Sequence, residues 1–370
     1  MSELIKYLES FSTPEEAVNS ITEELGVKVK HYPEEDLYVF NYSQIDSPKA
    51  HPVVMDCRGA ILEFDNGWKY VCRPFKRFFN YGEAPDTLTD FSFNRSEVFE
   101  KVDGSLIKIY RWRGEWRIAT RGTAFAETEN NLGLIFYEMV LDAFGLSLNE
   151  FHALAEWNLT REMTHLFELV HKDNRIVTPY ENNEMVYLGS VDNDTGEFSF
   201  GQCLFGNSRE AASFFLDSFD SCVEASKSLS GLEEGYVVRD MKSGQAVKIK
   251  SPLYVAAHHL RGELGLTPKK IAKLVVTNET EEYLRYFPED HEKIYHYAFA
   301  WQHVRSEAVA FFYRANLDTE TQKEFAMAVK DHRLSGAMFT ARKAEKGLLH
   351  AIDNMRESAK IDILLGAIDD

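Results

Sequence analysis

Cysteine is scarce and unpatterned in this chain: Cys57, Cys72, Cys203 and Cys222 stand apart, with no Cys-x-x-Cys pair and no zinc-ligand spacing. No apolar run approaches the roughly 18–20 residues that a membrane span needs. The first residues, MSELIKYLESFSTPEE, place Glu3 and Glu9 where a secretory leader has an apolar stretch. A Gly-x-x-x-x-Gly-Lys segment is missing, which argues against a P-loop kinase or ATPase. Positive charge is also short, with 41 Lys and Arg against 59 Asp and Glu and a formal net charge of -18. So acidic a chain is a poor general nucleic-acid binder, and any such role must rest on a local cationic site. The expectation is a reduced, soluble, cytoplasmic protein with no membrane partner.

What is present supports buried cores: 44% of the 370 residues are hydrophobic and 13% aromatic, enough for about two domains. The charge deficit is uneven, -16 over residues 1–250 and -2 over residues 251–370, and seven of the twelve histidines fall in the second part. Thr13-Pro14-Glu15-Glu16 is a helix start, with a capping hydroxyl and proline at the first helical position; Gly26 ends it. Val27–His31, Asp36–Tyr42, Val53–Phe64 and Trp68–Arg73 have the β-branched and aromatic content of strands. Leu106–Trp112 and Glu115–Thr120 flank Arg113-Gly114 as a hairpin, the stretch from Leu132 to Asn158 is helical in character, and strand-like segments return at His165–Val170, Met185–Val191, Gly235–Arg239 and Gln245–Lys250. Beyond Pro252 the periodicity is helical throughout, including Glu292–Phe312 and Ala341–Leu365.

Four segments carry chemistry. Lys101-Val102-Asp103-Gly104-Ser105 puts an amine at the lip of a tight turn ahead of a strand, and Leu166-Phe167-Glu168-Leu169-Val170 buries one acid in an apolar strand. Glu233-Glu234-Gly235-Tyr236-Val237 opens a strand whose return is Val247-Lys248-Ile249-Lys250. Lys248 and Lys250 lie two apart on a strand and so share a face, a repulsive arrangement unless an anion lies above them. Each segment alone has a bland reading, as a solvated turn, a paired core acid or a solvated hairpin.

In this order the four segments resemble motifs I, III, IV and V of the covalent nucleotidyltransferases: DNA ligases, RNA ligases and mRNA capping enzymes. Within that superfamily the chain is most similar to the bacteriophage T4 RNA ligase 1 family. Cys57-Arg58-Gly59, Arg73-Pro74-Phe75-Lys76-Arg77-Phe78-Phe79-Asn80, Asp173-Asn174-Arg175-Ile176-Val177 and Lys248-Ile249-Lys250-Ser251 with Tyr254 carry that likeness. The chain departs from it at Arg77-Phe78-Phe79, where the family has Lys-Phe-Phe, and at Arg121-Gly122-Thr123, where it has Lys-Gly-Ser. Arginine presents a planar fork where lysine presents a point charge, so the phosphate oxygens met by these residues change.

The resemblance implies an α+β nucleotidyltransferase domain of ATP-grasp-like antiparallel sheets over residues 1–250 and an all-α domain over 251–370. It implies an ATP-dependent RNA ligase that uses magnesium. Lys101 is the nucleophile, forming lysyl-AMP, and Lys248 and Lys250 depress its pKa and stabilise the phosphoryl oxygens. Arg58, with Arg77 or Lys76, grips the outer phosphates, and Arg121 adds cationic character. Glu168 sits near ribose and metal, and Glu234 acts on the metal. Phe79 is the wall of the nucleotide site, with Phe78 an equal alternative. Asp103 belongs to the nucleotide site, and Gly104 and Gly235 bring backbone close to the ligand. Tyr254 is the final site position or else an aromatic anchor at the domain junction. The RNA implied is tRNA broken in the anticodon loop, read by the helical domain and acted on after a separate end-healing enzyme. Ligation of DNA ends and a silent nucleotide-binding module remain the alternatives. His258-His259 and Asp192-Asn193-Asp194-Thr195-Gly196 lack metal-ligand spacing, and the latter reads as a turn.

Overall fold

A computed structural model describes residues 2–130, 132–201, 203, 205–261, 266–344 and 347–369. The chain divides into two compact units, Met1–Ala256 and Ala257–Asp370. No helix among the described residues is long and apolar enough to cross a membrane.

Among its described residues the first unit carries fifteen strands: β1 (Val27–Tyr32), β2 (Leu37–Tyr42), β3 (Arg58–Phe64), β4 (Trp68–Cys72), β5 (Phe79–Asn80), β6 (Ser96–Glu100), β7 (Ser105–Trp112), β8 (Glu115–Thr120), β9 (Met163–Val170), β10 (Glu184–Asp192), β11 (Phe198–Ser199), β12 (Ser208–Glu210), β13 (Ser213–Phe214), β14 (Gly235–Asp240) and β15 (Ala246–Lys250). They form three sheets, ordered β1-β2-β3-β4, β11-β10-β9-β7-β8 with β12 beside β10, and β13-β6-β14-β15-β5. All pairings are antiparallel except β10 with β12 and β15 with β5.

Alternation along the strands decides which faces bury. On the first sheet Phe40, Tyr42, Ala60 and Leu62 pack against Leu4, Leu8, Ala17 and Ile21 of two N-terminal helices, Glu3–Leu8 and Pro14–Leu25. The other face presents Leu37, Val39 and Ile61 to Tyr110 and Trp112 of β7. On the second sheet Ile107, Ile109 and Phe167 face Val140, Phe144 and Phe151 of the helices Phe136–Phe144 and Leu148–Asn158. These positions follow the period of two expected of half-buried strands. Thr13 caps the second helix by accepting from the Glu16 backbone N–H, as its sequence foretells.

One expected strand is divided. Val53–Phe64 begins as a helical turn, Pro52–Asp56, and becomes strand only at Arg58. Proline at the first helical position fixes that turn against the β propensity of Val53 and Val54. The second unit is helical, its longest element being His291–Asp318, with Ile294, Trp301, Val304, Ala308 and Phe312 buried at helical spacing. Residues 345–346, inside the helical stretch expected over Ala341–Leu365, lie outside the described residues.

Candidate active site

The third sheet and the second sheet bring the four motifs together around Lys101. Lys101 follows β6, and its backbone N–H donates to the Gly235 carbonyl at the start of β14. In the β14–β15 register Gly235 is opposite Lys250 and Val237 opposite Lys248. On β9, Glu168 is opposite Leu106 of β7, two residues beyond Gly104. Hydrogen-bonded ladders thus bring together side chains separated by more than 130 residues of chain.

Glu234 is the hub. Its carboxylate is 5% exposed and binds Lys101 Nζ at 2.5 Å through Oε2 and Lys250 Nζ at 2.8 Å through Oε1. Burial works against its charge, yet the two ammonium groups hold its pKa below the usual range. Lys101 shows the converse. Burial favours the neutral amine, but the charges of Glu234 and Glu168 outweigh it and the pKa is raised. This corrects the expectation that Lys248 and Lys250 depress Lys101. The depressed lysine is Lys248, brought down to about 7 by burial first and then by Lys101, Arg58, Lys250 and Arg77. The charges that act on it are cations, whereas Lys101 faces a carboxylate. Glu168 is pushed up to about 7 by burial, against the pull of Lys101 and Arg58.

Between the sheets lies a cavity of about 80 Å³ lined by Lys101, Glu168, Arg58 and Arg239 with Phe75, Phe78, Phe99, Leu188, Phe200 and Val237. Aromatic and aliphatic walls with a few convergent charges suit a nucleotide. Arg58 lies over Phe75 at 4.7 Å and Phe78 at 5.2 Å, and its Nη1 is buried without a hydrogen-bond partner among the described residues. Arg77 is buried over the Tyr42 ring at 4.7 Å, and Arg121 lies over the same ring at 4.3 Å while donating to Asn41 Oδ1. Arg58, Arg77 and Arg121 therefore gather near Tyr42 at one side of the slot.

Several expected site residues fall elsewhere. Lys76 is exposed and ion-paired with Asp56 at 3.1 Å, so Arg77 and not Lys76 is the cation beside Lys248. Phe79 is buried beneath Arg77, and the ring that lines the slot is Phe78. Asp103 is a brace: Oδ2 accepts from the Val177 and Thr178 backbone N–H groups at 2.8 and 2.7 Å, and Oδ1 accepts from the Tyr254 hydroxyl at 2.7 Å. Gly104 and Gly235 are needed for a different approach from the one expected. A Cβ on Gly104 would meet the Leu169 carbonyl, and one on Gly235, at φ +132°, would meet the Ile249 carbonyl. The close neighbour in each case is the adjacent strand.

The sequence reading missed Arg239 and Tyr42. Arg239 is buried on β14, donates to the Gly244 carbonyl at 2.8 Å and lies over Phe75, Phe78 and Phe198. Burial and then Arg58 bring its pKa down to about 9, and it has no ion pair with a described carboxylate. The available signal was its spacing: Gly235, Val237 and Arg239 share one strand face.

The carboxylates that could hold a divalent ion are Glu168 on β9 and Glu234 just ahead of β14, and no cluster of three or more acid, histidine or cysteine ligands occurs among the described residues. Two carboxylates suit a hard ion that keeps water and takes its remaining ligands from phosphate. Glu168 makes no hydrogen bond to a described residue and so fits that demand, while Glu234 must first yield a lysine.

The RNA ligase family model of the T4 RNA ligase 1 type matches residues 56–254, which contain every one of these groups except Asn41 and Tyr42. A baculovirus protein from Autographa californica nuclear polyhedrosis virus, named for a bifunctional polynucleotide kinase/RNA ligase, is 37% identical over 73% of this chain and 40% of its own length. The RNA ligase of Rhodothermus phage RM378 is 26% identical over 94% of this chain and 95% of its own. An archaeal ATP-dependent RNA ligase structure aligns with a TM-score of 0.43 at 13% identity, over 75% of this chain and 68% of that one, too remote to carry the assignment. The sequence matches carry it, and the chain belongs to the RNA ligase family of the T4 RNA ligase 1 type.

Proposed function

We propose that this RNA ligase joins a 3′-hydroxyl to a 5′-phosphate in three steps, two transfers of one AMP and then its release. The Lys101 amine attacks the α-phosphorus of ATP, a P–N bond forms, and pyrophosphate leaves with the broken P–O bond. The 5′-phosphate oxygen of RNA then takes the AMP from Lys101. A 3′-hydroxyl attacks that activated phosphate, loses its proton, and expels AMP. The observation that carries this reading is the Lys101–Glu234–Lys250 chain within electrostatic reach of Lys248, Glu168 and Arg58.

The chain's own groups divide the work. Glu234 holds Lys101 as an ammonium in the free enzyme. Phosphate entering between Arg58, Arg77 and Lys248 supplies the anion that their crowding lacks, and Lys248 gains charge as it does so. Glu168, with a pKa of about 7, is matched to accept a proton near neutral pH. A magnesium ion held by Glu168 and Glu234 would neutralise charge developing on the phosphoryl oxygens.

We infer further that the substrate is tRNA cleaved in the anticodon loop, with the helical unit contributing to its recognition. The support is the family resemblance and the near-neutral charge of that unit. The baculovirus relative's kinase/ligase name supports a partner step that supplies the 5′-phosphate. The test uses 5′-phosphorylated single-stranded RNA, ATP and magnesium. Wild type should join the ends and Lys101→Ala should not, while pre-adenylylated RNA should be sealed by both. Failure of wild type on both RNAs would overturn the proposal.

A further inference from the structure

Lys108 is a fully buried lysine two turns of the pleat beyond the nucleophile's loop, on β7. No ion pair joins it to a described carboxylate, and its Nζ donates to the backbone carbonyl of Gly59 on the neighbouring sheet. A buried cationic side chain without an anion is costly, so what it holds is informative.

Gly59 is the extra residue of a β-bulge. In the β2–β3 ladder Phe40 is opposite Ala60 and Asn41 opposite Arg58, leaving Gly59 without a partner, at φ +82°. A bulge of this kind changes which face the next side chain takes. In an unbroken strand Arg58 would share a face with Ala60 and Leu62, which pack beneath the N-terminal helices. With the bulge, Arg58 pairs with Asn41 and turns to the opposite face, where it lines the slot with Lys101 and Glu168. The bulge is packed tightly as well, since a Cβ on Gly59 would strike the Arg121 carbonyl.

The carbonyl released from the ladder needs a donor, because it lies in a dry layer between two sheets. Lys108 reaches it from a strand face that also carries Tyr110 and Trp112, the rings packed against Ile61 and Val39. A long stem with a terminal donor spans that gap where a shorter polar side chain would not.

We propose that Lys108 is a positioning residue for nucleotide binding: it pins the Gly59 bulge and thereby aims Arg58 at the phosphates of ATP. The inference rests on the ligase reading above. It predicts that Lys108 acts through Arg58 and not on the reacting atoms.

The test is a double-mutant cycle on lysyl-AMP formation, with thermal unfolding of each variant measured in parallel. Lys108→Met keeps the packed stem and removes the donor. Its KM for ATP should rise about 10-fold, with kcat changed less than about 3-fold. In an Arg58→Ala background the same substitution should raise KM no further, since the group it aims is already gone. If Lys108→Met does not fold, Lys108→Gln, which keeps an N–H donor on a shorter stem, takes its place in the cycle. A wild-type KM for the single variant, or losses that multiply in the double variant, would overturn the inference. Absence of any adduct on wild type would instead count against the ligase reading itself.

Discussion

Glu234 Oε2 lies 2.5 Å from Lys101 Nζ, so the proposed nucleophile is held in its unreactive, protonated form until substrate arrives. The carboxylate raises the lysine's pKa, and removing it should lower that pKa. The acid limb of the pH–rate profile for lysyl-AMP formation in Glu234→Gln should therefore move to lower pH by about one unit. The maximum rate should fall at least 10-fold, because the carboxylate proposed to hold the metal is lost. Single-turnover adenylylation from pH 5.5 to 10 measures both; a profile moved to higher pH would refute the assignment.

Lys248 yields a prediction of opposite sign. With a pKa of about 7 in the free enzyme it is mostly neutral above that pH. Triphosphate binding favours the charged form, so ATP should bind with uptake of close to one proton between pH 7.5 and 9. Its depressed pKa also means that this group's contribution to folding stability grows as pH rises from 7 toward the unfolded value near 10.4. Calorimetry of ATP binding in buffers of different ionisation enthalpy reads the uptake directly, and Lys248→Met should abolish it.

Tyr254 and Asp103 test the difference between a ligand contact and a brace. The Tyr254 hydroxyl donates to a carboxylate that also accepts two backbone N–H groups, all buried. Tyr254→Phe should destabilise the first unit by about 1–3 kcal/mol. At 20 °C its KM for ATP should stay within about 3-fold of wild type. A large KM increase without loss of thermal stability would restore a direct role in nucleotide binding.

Gly235 should tolerate no side chain. At φ +132° with the Ile249 carbonyl where a Cβ would sit, Gly235→Ala combines backbone strain with a steric clash inside the β14–β15 ladder. A destabilisation above about 4 kcal/mol is expected, seen as lost soluble expression or a sharply lowered Tm. Gly114→Ala, at a positive φ but with open space around it, should cost about 1–2 kcal/mol.

The motifs were legible because each is local: Glu168, Lys248 and Lys250 are set by strand alternation and Lys101 and Glu234 stand at strand ends, which sequence displays. The choice of Arg77 over Lys76 and of Phe78 over Phe79 was not, since each turns on a one-residue shift of facing in an irregular segment between β4 and β5. Arg239 escaped notice because its place on the strand face of Gly235 and Val237 gains meaning only once Arg58 and three phenylalanines are folded around it. The pKa order of Lys101 and Lys248 depends on which lysine meets Glu234, a tertiary fact. The break at Pro52–Asp56 was visible in Pro52 but was outweighed by the β-branched residues that follow.

The central claim is that Lys101 carries AMP. Intact mass after incubation with ATP and magnesium, for wild type and Lys101→Ala, tests it most directly. The account predicts one AMP adduct on wild type alone, released again by pyrophosphate. An unmodified wild type, after pyrophosphate treatment and renewed exposure to ATP, or an equal adduct on Lys101→Ala, would contradict it.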